Sequence, residues 1–299
     1  MDKGCEKGFS HQPTDRRCEK GLSHQQHQQR VDLAHRWISY AMGVVMGRFR
    51  PGVEGSLGCG CFDARMAAGL RDLSVSDGIA ELSDDSGEDL AELVMRALGL
   101  MLGDRGAGEV AGYATGRQRG SIGDLRRYLA GGFFRRHLRQ YRGRPVYWPL
   151  QSRERGYSAY VYYERLSVTT FEQLRGSQYL AGRLSVALRC GEKALAADLQ
   201  AFDEAIKRIS TAPDERGRKA GWRLEPDDGV LINAAPLYEL LSPIWKEPAE
   251  CWQRLSLGEY DWSFTAARYW PERVRAKCDA VRSLALAHKN VQVHGRLDH

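Results

Sequence analysis

Arginine is the residue through which this sequence could do most chemistry. Between Arg117 and Arg144 nine arginines (Arg117, Arg119, Arg126, Arg127, Arg135, Arg136, Arg139, Arg142 and Arg144) face a single acid, Asp124. Tyr128, Phe133, Phe134 and Tyr141 are set among them. A guanidinium presents a planar fork of donors that suits phosphate oxygens and guanine edges alike. The stretch therefore reads either as a phosphate-contacting surface or as a solvated basic helix. The whole chain is only moderately basic, with a net charge of +6. That balance permits nucleic-acid binding without requiring it.

Covalent and metal chemistry is poorly provided for. Seven cysteines, at 5, 18, 59, 61, 190, 251 and 278, make an odd and irregular set, unlike a disulfide framework. CEKGFSHQ at Cys5–Gln12 recurs as CEKGLSHQ at Cys18–Gln25, so Cys5, His11, Cys18 and His24 could ligate zinc. Their spacing matches no usual finger, and the segment lacks the apolar residues a finger packs around its metal, so a disordered tail is the other reading. Leu57-Gly58-Cys59-Gly60-Cys61-Phe62-Asp63 is the one glycine loop that faintly suits a nucleotide-like cofactor. No apolar strand leads into it, and a plain glycine turn accounts for it. An amino-methylating enzyme holds its flipped base with an Asn/Asp-Pro-Pro-aromatic segment, and this chain has no Pro-Pro pair. Walker-type loops and His-Glu-x-x-His are absent too. Pro213-Asp214 and Pro226-Asp227-Asp228 lack a following Glu-x-Lys and read as loop acids. The expectation is no catalytic residue, no cofactor site and no metal site.

The elements that must position the arginines follow from periodicity. With 299 residues, 42% of them hydrophobic, the chain can bury a substantial core. Val31, Ala34, Ile38, Ala41, Met42 and Val45 predict a buried helix over 31–48, ended by Pro51, with Gly43 and Gly47 allowing close packing. Asp72–Met95 is acidic and reads as a solvated face. Ser86 is the expected N-cap of a helix whose face is Leu90, Leu93, Val94, Ala97, Leu98 and Met101, with Gly103 as its stop. Phe134, Leu138 and Tyr141 give the basic segment an apolar side, and Gly131-Gly132 is expected to interrupt its helix. Pro145–Leu150 and Tyr157–Leu166 predict a hairpin, and Thr170-x-x-Gln173 a capping box. Leu195, Leu199, Phe202, Ile206 and Ile209 form a seam that a helix folding back near Cys190–Gly191 would bury. Pro213–Gly221 reads as a linker, and Pro271 as the first turn of a last helix. The tryptophans read as core more readily than as stacking platforms.

Several strings carry a family likeness. Trp37-Ile-Ser-Tyr40-Ala-Met-Gly43 through Gly47-Arg48-Phe49, Arg144-Pro145-Val146-Tyr147-Trp148, and Asp227-Asp228-Gly229-Val230 with Asn233 are three of them. Tyr260-Asp261-Trp262, Arg268-Tyr269-Trp270-Pro271-Glu272-Arg273-Val274 and Ser283–His288 complete the set. In order from about Val31 to His288 they resemble the C-terminal half of PglX-like adenine-specific DNA methyltransferases. Those proteins belong to BREX and DISARM phage-defence loci and are related to type IIG restriction–modification enzymes. The resemblance implies that the S-adenosylmethionine fold and catalytic motif lie on an N-terminal half that this chain would follow. It implies DNA binding and reading for the part present here.

The expected fold is mixed α/β (α+β) and helix-rich, with two α/β portions joined by a helical-hairpin spacer. The expected organisation is a disordered repeat-containing tail at 1–30, a helix-rich α/β portion with the basic segment at 31–168, the helical spacer at 169–212, and an aromatic-rich α/β portion at 213–299. Arg135, Arg136, Arg139, Arg142 and Arg144 are the first candidates for DNA contact, and Arg268, Arg273, Arg275 and Lys277 the second. The implied partners are double-stranded DNA and a catalytic methyltransferase polypeptide or other phage-defence subunit, with no membrane. With no apolar leader at the N-terminus, the expected location is cytoplasmic. The rival reading is a non-enzymatic protein-interaction module, or a decayed fragment, docking other defence components.

Overall fold

The apolar stripe beginning at Val31 belongs to the helix on which the rest of the molecule is built. A computed structural model describes residues 16–83, 89–211, 221–241, 243–259 and 263–280. Helix α1 (Arg16–Val45) buries Ala34, Ile38, Ala41, Met42 and Val45 at the predicted spacing. It starts at Arg16, inside the segment expected as a disordered tail. Helix α2 (Ala64–Asp72) is capped by Asp63, whose Oδ1 accepts from the Met66 N–H at 2.9 Å. A short strand, β1 (Ile79–Glu81), follows, then α3 (Leu90–Thr115), which packs along α1.

Asp89 caps α3, and the predicted cap Ser86 lies outside the described residues. The acidic run is not wholly a solvated face. Asp89 and Glu81 are buried, and Asp89 accepts from the Ser83 N–H at 3.0 Å. Gly103 (φ 73°, ψ 163°) stops regular helix as expected, but a second helical stretch resumes beyond it to Thr115.

Helices α4 (Ile122–Arg127) and α5 (Phe133–Gln140) are joined without a break by a π-helical turn over Tyr128–Gly132. The glycine pair expected to interrupt the helix instead widens it by one residue. In this turn the Phe133 N–H reaches the Tyr128 carbonyl, five residues back.

Strands β2 (Tyr147–Gln151) and β3 (Ser158–Tyr162) form the predicted hairpin, and β1 joins β3 to give an antiparallel sheet of order β1-β3-β2. β1 is too short to show a periodicity, which is why the sequence did not announce it. The sheet is the middle layer. On one face Tyr160 meets Phe133 and gives its hydroxyl to the Leu129 carbonyl at 2.8 Å. On the other, Trp148 meets Trp245 and Tyr157 meets Phe202.

Helices α6 (Val168–Arg175) and α7 (Leu180–Cys190) pack against α8 (Lys193–Ser210), which lies on that second face through Phe202. The cap of α6 is Ser167, with Thr170 as the third helical residue of its capping box rather than the cap itself. Helices α7 and α8 fold back on each other about Gly191 (φ 74°), and Leu199, Phe202, Ile206 and Ile209 are buried as the seam predicted. One apolar cluster runs from Ala34 to Trp245, so α8 packs into the same core as the sheet across the expected boundaries at 168 and 212. Asp198 on α8 holds the β2–β3 turn, accepting from Ser152 Oγ and from the N–H groups of Glu154 and Gly156.

The last part is a set of short helices: α9 (Gly229–Ala234), α10 (Tyr238–Leu241), α11 (Glu247–Ser256), α12 (Phe264–Tyr269) and α13 (Pro271–Ala280). Among the described residues no strand follows Tyr162, so the second portion expected as α/β is helical. The Cys/His side chains of the N-terminal repeat, the 213–220 linker, Tyr260–Trp262 and Ser283–His288 lie outside the described residues.

Candidate nucleic-acid interface

The π turn fixes which way α5 faces. Phe133, Phe134 and His137 point into the core, which leaves Arg135 and Arg139 on the solvent side. Arg136 lies between these faces and pairs with Asp32 of α1 at 2.5 Å, and Gln140 meets Ser39 at 3.4 Å. Two contacts thus strap α5 alongside α1.

The turn after α5 carries the next two arginines. Arg142 (φ 51°) and Gly143 (φ 80°) are both left-handed, and the pair swings the chain from α5 into β2 with Arg142 and Arg144 exposed. His137 anchors this turn from below. Its Nε2 accepts from the N–H of Val146 at 2.9 Å and of Tyr147 at 3.2 Å. Burial, with Arg48 nearby, depresses its pKa to about 3, so the ring is neutral with its proton on Nδ1. Arg48 stacks on Tyr141 at 5.2 Å and bonds its hydroxyl. The basic turn is therefore held by a cation–aromatic cluster.

Half of the basic run is engaged elsewhere. Asp124 pairs with Arg117 at 3.0 Å and Arg127 at 2.6 Å. Arg126 sends Nε (3.1 Å) and Nη2 (2.9 Å) to one oxygen of Asp89. Among the described residues, no carboxylate lies within ion-pairing distance of Arg135, Arg139, Arg142 or Arg144. The charge of Arg139 is felt underneath. The buried His35, bonded to the Tyr128 hydroxyl at 2.7 Å, is lowered to about 4 by desolvation first, then by Arg136, with Arg139 adding to it.

The second candidate set divides. Arg268 is buried and meets Glu225 at 2.6 Å, so its guanidinium cannot reach a duplex. That expectation is corrected: α12 is short and faces inward, and Arg268 serves a structural pair. Arg273 and Arg275 are exposed on α13 with Val274 turned to a small second core, and Lys277 is half-buried. Arg36, exposed one turn beyond Asp32 on the side of α1 that faces α5, and Arg48 do not stand out as candidates in the sequence. The spacing Asp32–Arg36 was a signal, but nothing in the sequence placed α5 beside it.

Most strings of the family likeness prove to be scaffold. Asp228 accepts from the N–H groups of Phe264 and Thr265 and from the Thr265 hydroxyl. Asn233 clamps the backbone of Glu225 at both N–H and carbonyl. Trp148 is buried with its indole N–H on the Pro145 carbonyl. Trp222 and Trp245 are buried as well, in keeping with tryptophan as core. The glycine loop is likewise explained by packing. A Cβ at Gly58 would run into Phe49, and one at Gly60 into Phe62, so its glycines make room for aromatic rings. Among the described residues no three His, Cys, Asp or Glu side chains gather as metal ligands, and no helix is long and apolar enough to cross a membrane.

No family model matches the chain. Over 255 aligned residues it is 28% identical to the adenine-specific methyltransferase BrxX of Escherichia coli O9:H4 (strain HS). The chain is similar to an adenine-specific methyltransferase. The alignment takes in 73% of this chain and 21% of that protein, so the chain spans about a fifth of its relative's length.

Proposed function

We propose that this chain supplies duplex-DNA recognition to an adenine-specific DNA methyltransferase of a phage-defence or restriction–modification system. In this reading it corresponds to the C-terminal, target-reading half of PglX-like proteins of BREX and DISARM loci. S-adenosylmethionine and the methyl-transfer chemistry belong to a catalytic polypeptide that it partners. The observation that carries the reading is the ridge of Arg135, Arg139, Arg142 and Arg144, exposed, without carboxylate partners among the described residues, and braced from beneath. Arginines not engaged with protein acids are the groups a phosphate backbone needs. Arg36 extends the ridge onto α1, and Arg273, Arg275 and Lys277 offer a second contact on α13.

Fluorescence anisotropy of a labelled mixed-sequence duplex at two salt concentrations tests this. Four phosphate contacts give a slope of about −3.6 in log K against log salt, so affinity should fall roughly a hundredfold between 50 and 200 mM salt. Absence of binding at the lower concentration would overturn the reading.

One observation favours the rival, docking onto another defence component. Leu100 and Ile122 are exposed in a groove between α2 and α3 that Asp72, Glu92 and Asp104 surround. A contact made there would barely respond to the same change of salt if it were apolar.

A further inference from the structure

The outer edge of β1 opens into a cavity of about 600 Å³ that the nucleic-acid reading leaves unused. Its walls are the edge strand on one side and α7 with the start of α8 on the other, and Ile79, Val186, Ala187 and Leu195 make it largely apolar. The size is that of a pocket for a small organic molecule.

Glu81 lines this cavity and is 6% exposed. The buried hydroxyl of Tyr157 stands against this carboxylate. A carboxylate accepts several hydrogen bonds, and one hydroxyl leaves acceptor capacity that a bound donor would use. Glu192 adds a second carboxylate to the lining, and Arg183 is its one cation, bonded to the Ser83 hydroxyl. Tyr179, also in the lining, is bonded to a further carboxylate, Asp77, at 2.6 Å. The walls are apolar, the charge is negative on balance, and the buried carboxylate of Glu81 is an acceptor.

We propose that this cavity is a binding site for a small organic cation, an ammonium or amidinium group on an apolar body, whose N–H groups pair with Glu81. Burial pushes the Glu81 carboxyl up, and a cation against it would favour the ionised form.

Cys190 lines the cavity with an exposed, unpaired thiol and serves as a reporter, while Cys61, exposed and outside the lining, serves as its internal control. The full chain is alkylated with iodoacetamide, and both cysteines are followed by peptide mass spectrometry with and without benzamidine. A weak ligand of millimolar affinity should slow Cys190 about threefold at about 10 mM, with Cys61 unchanged. Benzamide, neutral and nearly the same shape, should give no protection, and Glu81→Gln should abolish the effect of benzamidine. Val186→Trp, at a half-exposed position of the wall, keeps Glu81 and should abolish it by filling the space, which covers the case in which the Glu81 variant fails to fold. No protection in the wild-type chain, equal protection by benzamide, or protection surviving in a folded Glu81→Gln or in Val186→Trp would overturn the proposal.

Discussion

Arg268, buried, and Glu225, partly buried, meet at 2.6 Å, joining α12 to the segment that precedes α9. Each is the other's condition for burial. Burial pushes the Glu225 carboxyl up even with Arg268 beside it, so the pair already carries a desolvation cost. Arg268→Ala should therefore destabilise the chain by about 3 kcal/mol in urea unfolding at neutral pH. The sign with pH is definite. Without Arg268 the folded pKa of Glu225 rises further, and a raised carboxyl pKa favours the folded state below the unfolded value and disfavours it above. The deficit should shrink as pH falls into the carboxylate range. DNA affinity of the folded variant should be unchanged, because Arg268 does not reach the surface.

The ridge arginines should behave in the opposite way. Arg135→Ala, Arg139→Ala, Arg142→Ala and Arg144→Ala should leave melting temperature almost unmoved. Each should lower the salt slope of DNA binding by about 0.9, uniformly across sequences. Arg126→Ala and Arg127→Ala, whose side chains are engaged by Asp89 and Asp124, should leave that slope unaltered.

Acid should unfold the protein through two histidines. His35 (about 4) and His137 (about 3) both titrate below the ordinary imidazole value of 6.5. A depressed pKa contributes stability that is full above the unfolded value and lost as pH falls towards the folded one, here from 6.5 downward. Each shift corresponds to roughly 3–5 kcal/mol. Thermal unfolding followed from pH 7 to pH 4 should show the loss, and His35→Gln should flatten it. A melting temperature constant across that range would contradict the burial of both rings.

His35 also reports on the ridge. Arg139 on the ridge helps to depress it, so a phosphate neutralising that side chain should raise its pKa. Titrating the His35 ring by NMR with and without duplex should show an upward shift on binding. An unmoved value would place the DNA elsewhere on the surface.

Gly43 tests the packing of α1 against the glycine loop. In an open helix Gly→Ala gains about 1 kcal/mol. Here the new Cβ would run into the Phe49 ring, so Gly43→Ala should instead lose about 1–3 kcal/mol by unfolding.

Where one face of an element is buried, the sequence announced it. The stripes of α1, α3 and α8 are periodic and long enough to be read directly, and the β2–β3 hairpin shows in its aromatic and β-branched runs. Three things were not legible, each for a physical reason. β1 has three residues, all buried, and so no alternation. Arg268 and Arg139 look alike as letters, and only the tertiary position of Glu225 separates the structural arginine from the exposed one. Ser167 and Thr170 both suit a cap, and the choice between them depends on where β3 releases the chain.

The π turn at Tyr128–Gly132 bears on how relatives should align. Leu125, Leu129, Phe133 and His137 are all buried, four residues apart each time. At about 100° per residue a regular helix would turn the last of them about 120° away from the first. Removing one residue from the count brings that offset to about 20°, which is what the extra residue of a π turn does. The segment is thus a regular helix with one residue too many. A homologue one residue shorter between Leu129 and Phe133 would bury the same four side chains in heptad spacing and present the same arginines outward. A single-residue gap among homologues is expected there, with the ridge in register on both sides of it.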